Sequence, residues 1–315
     1  MVPEAGPLTQ VNRRGGQRRS LNPGATSTPR RETAMGTLKD IFVPLLNGPG
    51  DGAAMDAAIA LASAHGAHVA ALVTTENPMP MISDWGMVPA DVDATLRDNA
   101  HAEAAALAAT ARARLAREAI SSEVRVADAL LLWSEETAAL HARHADLSVL
   151  GRPDRDDGRP RFALNFKALL LNSGRPLLML PPGAKFLAAP RHVAVAWKPT
   201  PEASRALHDA LPLFARGARV DVVMVDPVVS EGRHGEQPGA DIAQHLARHG
   251  FDAQVIALPR AGHGTGACLL AQVRESGADW LVMGGYGHAR LREWVLGGCT
   301  RDVSAGATTP VFFAH

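Results

Sequence analysis

The chain has 315 residues, enough for two domains of ordinary size, and its 32 Lys and Arg balance its 32 Asp and Glu. Such a chain carries no net field toward nucleic acid or an anionic membrane, so neither partner is expected. Cys268 and Cys299 are too few for a disulfide framework, and no apolar run approaches the roughly 18 residues of a spanning helix, so the chain is read as cytoplasmic.

Residues 1–36 form a tail of Gly, Pro, Ser and Thr with Arg13, Arg14, Arg18, Arg19, Arg30 and Arg31 against Glu4 and Glu32. That composition builds no core, and the twin arginines are followed by no apolar stretch of a secretory signal. The folded part is expected to start after Met35, which is itself a candidate start of the chain. From Asp40 short aliphatic runs alternate with longer helical ones, the order of a parallel βαβ sheet. The first half reads as strand 40–46, helix 51–65, strand 67–74, helix 89–119, strand 123–127, helix 133–144, strand 146–150, helix 162–172 and strand 176–180. The second reads as strand 192–197, helix 201–215, strand 218–225, helix 240–249, strand 252–258, helix 266–276, strand 280–283, a helix after Gly298 and strand 310–314.

The halves echo one another: Ala145-Asp-Leu-Ser-Val-Leu-Gly matches Ala278-Asp-Trp-Leu-Val-Met-Gly, and Ser173-Gly-Arg-Pro-Leu-Leu-Met-Leu matches Ala307-Thr-Thr-Pro-Val-Phe-Phe-Ala. A duplicated α/β domain of five parallel strands explains this. The expected domains are 37–183 and 190–315, with the Pro- and Gly-rich segment after Leu180 as linker and the boundary near residue 187. The first half carries an insertion of about 19 residues (Ile41 to Val193 against Leu150 to Met283), placed by the sequence between Thr75 and Arg97. Runs such as Ala104 to Ala109 suit a helix that approaches a sheet closely.

Ligands of an open parallel sheet bind outside the carboxyl ends of its strands. There the second half reads Met283-Gly284-Gly-Tyr-Gly287, then nine residues to Gly297-Gly298-Cys-Thr300. Glycines let backbone amides turn inward, and a helix beginning at Gly298 would offer free N–H groups to a phosphate.

This loop resembles that of the universal stress protein family, whose ATP-binding branch carries Gly, two residues, Gly, nine residues, Gly and then Ser or Thr after strand four. Gly284, Gly287 and Gly297 match that spacing, and the resemblance runs from about residue 37 to the end. It implies two Rossmann-like domains of the adenine nucleotide α hydrolase type and a stress-response role with ATP or another adenine nucleotide in the second, Mg entering only with ATP. It also implies phosphate and ribose contacts from the glycines, and an adenine pocket lined by Met283 and Val225. Gly298 stands where the family has Ser or Thr, with Thr300 able to supply a hydroxyl, and Lys198 after strand one can attract phosphate. Family dimers pair their fifth strands, so the resemblance implies that strands 176–180 and 310–314 pair within the chain and that chains associate as homodimers.

In the first half Asp154, Leu164 and Asn165 fall at the positions of Gly287, Gly297 and Gly298, and Pro153 removes an amide, so that site reads as degenerate. Histidines 101, 141 and 144 lack further ligands at metal spacing, and no metal is expected. His263 and Thr265 are secondary candidates, with Thr265 as a helix cap the favoured reading. Cys299 opens a helix, where a thiol pKa tends to be lowered, although packing as a small apolar residue is favoured. No catalytic triad is supported, so no enzymatic role is expected beyond slow ATP hydrolysis. The alternatives are an interaction module without a nucleotide and, ranked last, an adenylating enzyme.

Overall fold

The computed structural model describes residues 38–75, 90–129, 133–154, 160–227, 238–286 and 298–315. The tail 1–36, the Met- and Pro-rich segment 78–89, Asp156, Asp157, Gly287 and Gly297 lie outside the described residues. In chain order the first half contains β1 (Asp40–Leu45), α1 (Asp51–His65), β2 (His68–Thr75), α2 (Ala90–Leu115), β3 (Ser121–Asp128), α3 (Ser134–Ala142), β4 (Leu147–Gly151), α4 (Arg161–Asn172) and β5 (Leu177–Leu180). The second contains β6 (His192–Ala196), α5 (Pro201–Ala210), β7 (Arg219–Val225), α6 (Ala240–Arg248), β8 (Asp252–Leu258), α7 (Thr265–Ser276), β9 (Trp280–Gly284), α8 (Gly298–Gly306) and β10 (Val311–Ala314).

All ten strands join one sheet in the order β3-β2-β1-β4-β5-β10-β9-β6-β7-β8. Every neighbouring pair is parallel except β5 and β10, which run antiparallel with Leu178 opposite Phe312. The two apolar fifth strands thus cover one another's edge within the chain, where each alone would be open to pairing with another molecule. Because that pair is antiparallel, the carboxyl ends of the two halves open on opposite rims of the sheet.

Alternation along the strands divides the core in two. Ile41, Val43, Val149, Leu178, Val195, Val282 and Phe312 face α1, α2, α5 and α6. Phe42, Leu150, Met179, Val223, Leu281 and Phe313 face α3, α4, α7 and α8. Alanines 54, 57, 58 and 62 of α1 and 104, 108 and 111 of α2 are buried, the small side chains letting both helices lie close to the strands. Asp221, fully buried on β7, accepts from His192 on β6 (2.8 Å), Arg219 (2.9 Å) and Gln254 on β8 (2.7 Å), which locks the register of three strands. Burial works to raise its pKa, but those hydrogen bonds outweigh it and hold the carboxyl below its usual range.

Two sequence expectations need correction. The helix read as 201–215 ends at Ala210, and Leu211–Leu213 form a 3-10 turn, because Pro212 has no N–H and its ring blocks a further α-turn. The extra residues of the first half lie chiefly in helix rather than in the preceding loop. The segments 76–89 and 226–239 are equal in length, whereas α2 has 26 residues against nine in α6. At ~1.5 Å per residue α2 is ~39 Å long, against ~26 Å for an eight-residue strand. Its start therefore overhangs the sheet, and its first buried residue is Ala104.

Three histidines meet where α5 and α6 pack, the His245 ring 5.1 Å from His208 and 4.6 Å from His249. Among the described residues no three His, Cys, Asp or Glu side chains stand so that they could hold a metal. Burial first, then the neighbouring His249, His208 and Arg248, hold His245 below the ordinary histidine range. The folded state therefore resists a proton that the unfolded chain accepts, and the stability gained from a neutral His245 is lost as pH falls below 6.5. Melting temperature is expected to drop on going from pH 7.5 to 5.5, and less steeply in His245→Gln. Equal slopes for the two proteins would contradict this.

Candidate functional site

In the second half the chain turns in opposite directions from β6 and β9, since β6 continues to β7 and β9 to β10. Such a switch point leaves a crevice at the carboxyl ends of the strands. Ala196 on β6 lies opposite Met283 on β9, so the segments carrying Lys198 and Gly284-Gly285 leave the sheet side by side. Lys198 is exposed, and its carbonyl accepts from Thr200 N–H at 2.7 Å. Thr200 then caps α5, its hydroxyl accepting from Ala203 N–H at 3.4 Å, and Pro201 fills the first helical position.

Gly284 is required by packing. A Cβ at this position would lie 2.6 Å from the amide nitrogen of Ala203 and 2.9 Å from Cβ of Glu202, so only glycine lets the end of β9 rest on the first turn of α5. Gly285 is pressed against Leu170 of α4, and its N–H donates to Ala314 at 2.8 Å. Tyr286, the chain's one tyrosine, adopts a left-handed backbone at φ 53°, a conformation strained for a bulky residue. Its N–H donates to Thr300 Oγ1 at 3.3 Å. That hydrogen bond ties the last residue before the glycine loop to the first turn of α8 and closes the loop at its base.

The remaining expected residues fall around this closed base. Gly298 opens α8 and is exposed, and among the described residues nothing lies within 4 Å of where a Cβ would stand. Thr300 is buried, its oxygen engaged by Tyr286. Met283 is 5% exposed and packs into the core facing α7 and α8; Val225, at the end of β7, lies half-buried against the same cluster with Ala196, Leu258, Tyr286 and Cys299.

Three groups were not singled out by sequence. Tyr286 has a buried hydroxyl without a partner, and burial pushes its pKa up to about 12. Glu202, in the first turn of α5 against Gly284, has one carboxylate oxygen buried without a partner. Asp302 of α8 stands at the start of α7, its carboxylate 3.6 Å from a Cβ built at Gly264 and its Cβ 2.7 Å from one at Gly266. A carboxylate there answers the positive end of α7, as Glu202 does in the first turn of α5, whereas the first turn of α8 carries no acidic residue. The signal available for Tyr286 was its being the lone tyrosine inside the glycine motif; nothing in the sequence distinguishes Glu202 or Asp302.

One expectation near the site is corrected, and the packing favoured for Cys299 is supported. The cap of α7 is Gly264 with no side-chain hydrogen bond, and Thr265 is the first helical residue. Burial, reinforced by Asp302, pushes the Cys299 thiol up to about 11, so its place at a helix start does not activate it.

The corresponding rim of the first half is filled by its own residues. Gly151 and Gly50 touch backbone to backbone, a Cβ on Gly151 falling 1.9 Å from the Gly50 carbonyl oxygen. The Asp51 carboxylate accepts from Leu46 N–H (3.0 Å) and Gly48 N–H (3.3 Å), and Arg161 donates to the Leu46 carbonyl at 3.0 Å. Leu164 and Asn165, aligned with Gly297 and Gly298, lie inside α4, and Asp154 is exposed beyond β4.

No protein-family model matches the chain, and no curated protein matches it. Solved structures do. A universal stress protein from Archaeoglobus fulgidus superposes with a TM-score of 0.58 at 15% identity, over 87% of this chain and 97% of its own. A universal stress protein from Pseudomonas aeruginosa UCBPP-PA14 gives 0.57 at 16% identity over 89% and 94%, and a P. aeruginosa PAO1 protein of unknown function gives 0.54 at 15% over 90% and 94%. Single polypeptides of this fold thus account for both halves at once. The chain has the fold of the universal stress proteins.

Proposed function

We propose that the protein is a tandem universal stress protein that binds an adenine nucleotide at the carboxyl rim of its second half, the phosphates resting on the start of α8 near Lys198. The observation that carries this reading is the glycine loop closed at its base by the Tyr286–Thr300 hydrogen bond, which holds the start of α8 at the switch point with Gly298 open to solvent. ATP is the proposed ligand, with Gly284, Gly287, Gly297 and Thr300 framing the loop, Val225 and Met283 beside the base, and Mg entering with the triphosphate. The first half, its rim occupied by Asp51 and Arg161, takes no nucleotide on this reading. Domains of 37–183 and 190–315 and homodimers of the chain belong to the same proposal. Among the described residues no helix is long and apolar enough to cross a membrane. A second reading, an interaction module without nucleotide, is favoured by the burial of Met283 and the engagement of Thr300.

Gly298→Asp separates the two. The substitution meets none of the described residues, and a carboxylate at a helix start stabilises the helix, but the same charge repels phosphate. By calorimetry the wild type is expected to bind ATP, and Gly298→Asp to bind at least tenfold more weakly with an unchanged or raised melting temperature. Wild type that gives no heat at millimolar ATP would leave the interaction module. Unchanged affinity in the variant would remove the phosphate from α8.

A further inference from the structure

Arg152 and Gly285 are counterparts in the two halves: each follows strand four, and each donates its N–H to the end of strand five, Arg152 to Leu180 and Gly285 to Ala314, both at 2.8 Å. Their surroundings differ. Gly285 lets Leu170 of α4 press in, whereas the Arg152 side chain leaves its own half and reaches α8 of the other. Its Nη1 donates to the Ser304 carbonyl at 2.9 Å and to the Ala305 carbonyl, and its Nη2 to the Ala307 carbonyl at 2.8 Å.

Those carbonyls belong to the end of α8, where a nine-residue helix leaves its last acceptors without intrahelical donors. A guanidinium fits that place twice over, by supplying several N–H groups in a fixed fork and by setting positive charge at the negative end of the helix. The other end of α8 is Gly298, Cys299 and Thr300. Thr300 is held by Tyr286 and Val303, three residues on, is fully buried, so Arg152 adds an anchor at the far end of the helix to those near the start and in the middle. Its start is thereby fixed relative to β9 and to Lys198. A lysine could supply the charge at position 152 but not three forked donors.

We infer that Arg152, directly after β4, serves as a clamp and is a positioning residue for the phosphate site of the second half, holding α8 from its far end. The inference rests on the nucleotide reading above. It gives the residue after β4 a role that needs no ligand in the first half, and it makes the two halves interdependent at the site.

The test combines amide exchange with binding, in the full chain, for Arg152→Ala and Arg152→Lys. Without ligand, Arg152→Ala is expected to speed exchange at the amides of residues 303–307 about tenfold while leaving β1, β2 and β4 protected. With ligand, ATP affinity is expected to fall about tenfold while adenosine affinity holds, because only the phosphates meet α8; Arg152→Lys should recover part of the loss. Unchanged exchange at α8 would refute the clamp. Faster exchange with unchanged ATP affinity would reduce it to a structural contact, and a parallel loss of ATP and adenosine would replace positioning by general loosening. Wild type that binds neither compound overturns the nucleotide reading itself and this role with it, a failure distinct from wild type that binds alongside an Arg152→Ala that binds equally well.

Discussion

Replacing Gly151 by alanine is expected to destabilise the protein by roughly 3 kcal/mol or more, at or above the upper end of ordinary overpacking. The added methyl carbon would stand 1.9 Å from the Gly50 carbonyl oxygen and 2.5 Å from its carbon, and Gly50 precedes α1. Neither partner is the end of a flexible side chain. Relief requires moving the start of α1, and with it the two N–H groups that Asp51 holds at Leu46 and Gly48, or bending β4 away from β1. Urea denaturation of Gly151→Ala should show a midpoint lower by about 1 M or more. A midpoint equal to wild type would mean that the two backbones do not touch. For the same reason Gly151→Asp, which by sequence alignment alone is a neutral control for ligand binding in the second half, perturbs the fold before it says anything about the ligand. Gly298 is the suitable position because a side chain there meets none of the described residues.

The fold was legible because two independent periodicities agreed. Alternating short and long apolar segments called for a parallel sheet, and the matched ends of strands four and five called for repetition; that the fifth strands pair came from the resemblance to the universal stress proteins. What the sequence could not show is why its glycines are there. Gly284 matches a phosphate motif by spacing, yet in the fold it is also the place where β9 touches the first turn of α5, and a spacing rule does not separate these two requirements. Cys299 was favoured for packing, and the fold supplies the reason: a helix start lowers a thiol pKa in water, but burial beside Asp302 reverses the sign, and burial of one position is a tertiary property. The extra residues of the first half were counted well and placed poorly, since Pro and Met around residues 77–89 suggested a loop while the length went into the alanine-rich α2. Arg152 carried no signal at all, because the carbonyls it meets are more than 150 residues away in sequence.

Trp280→Ala is expected to cost about 4 kcal/mol, the range for removing a large aromatic side chain from a filled core. Trp280 opens β9 with no exposed surface, and its ring stacks between Phe312 of β10 at 6.5 Å and Phe186 at 5.7 Å. Phe186 lies in the segment joining the halves, so this ring is one of the places where the linker meets the core, beside Ala188 and the Pro190 carbonyl, which accepts from Ala215 N–H at 3.0 Å. The indole Nε1 is buried without a partner, a penalty that phenylalanine removes while keeping most of the aromatic area. Trp280→Phe should therefore lose much less, about 1 kcal/mol. The two variants should also differ locally under native conditions. With the ring gone, Phe186 has lost its seat, and trypsin should cut after Lys185 several times faster than in wild type; with phenylalanine in place the linker should stay protected. Cleavage after Lys185 at one rate in all three proteins would show that the linker is held by something other than Trp280, whatever the loss of global stability.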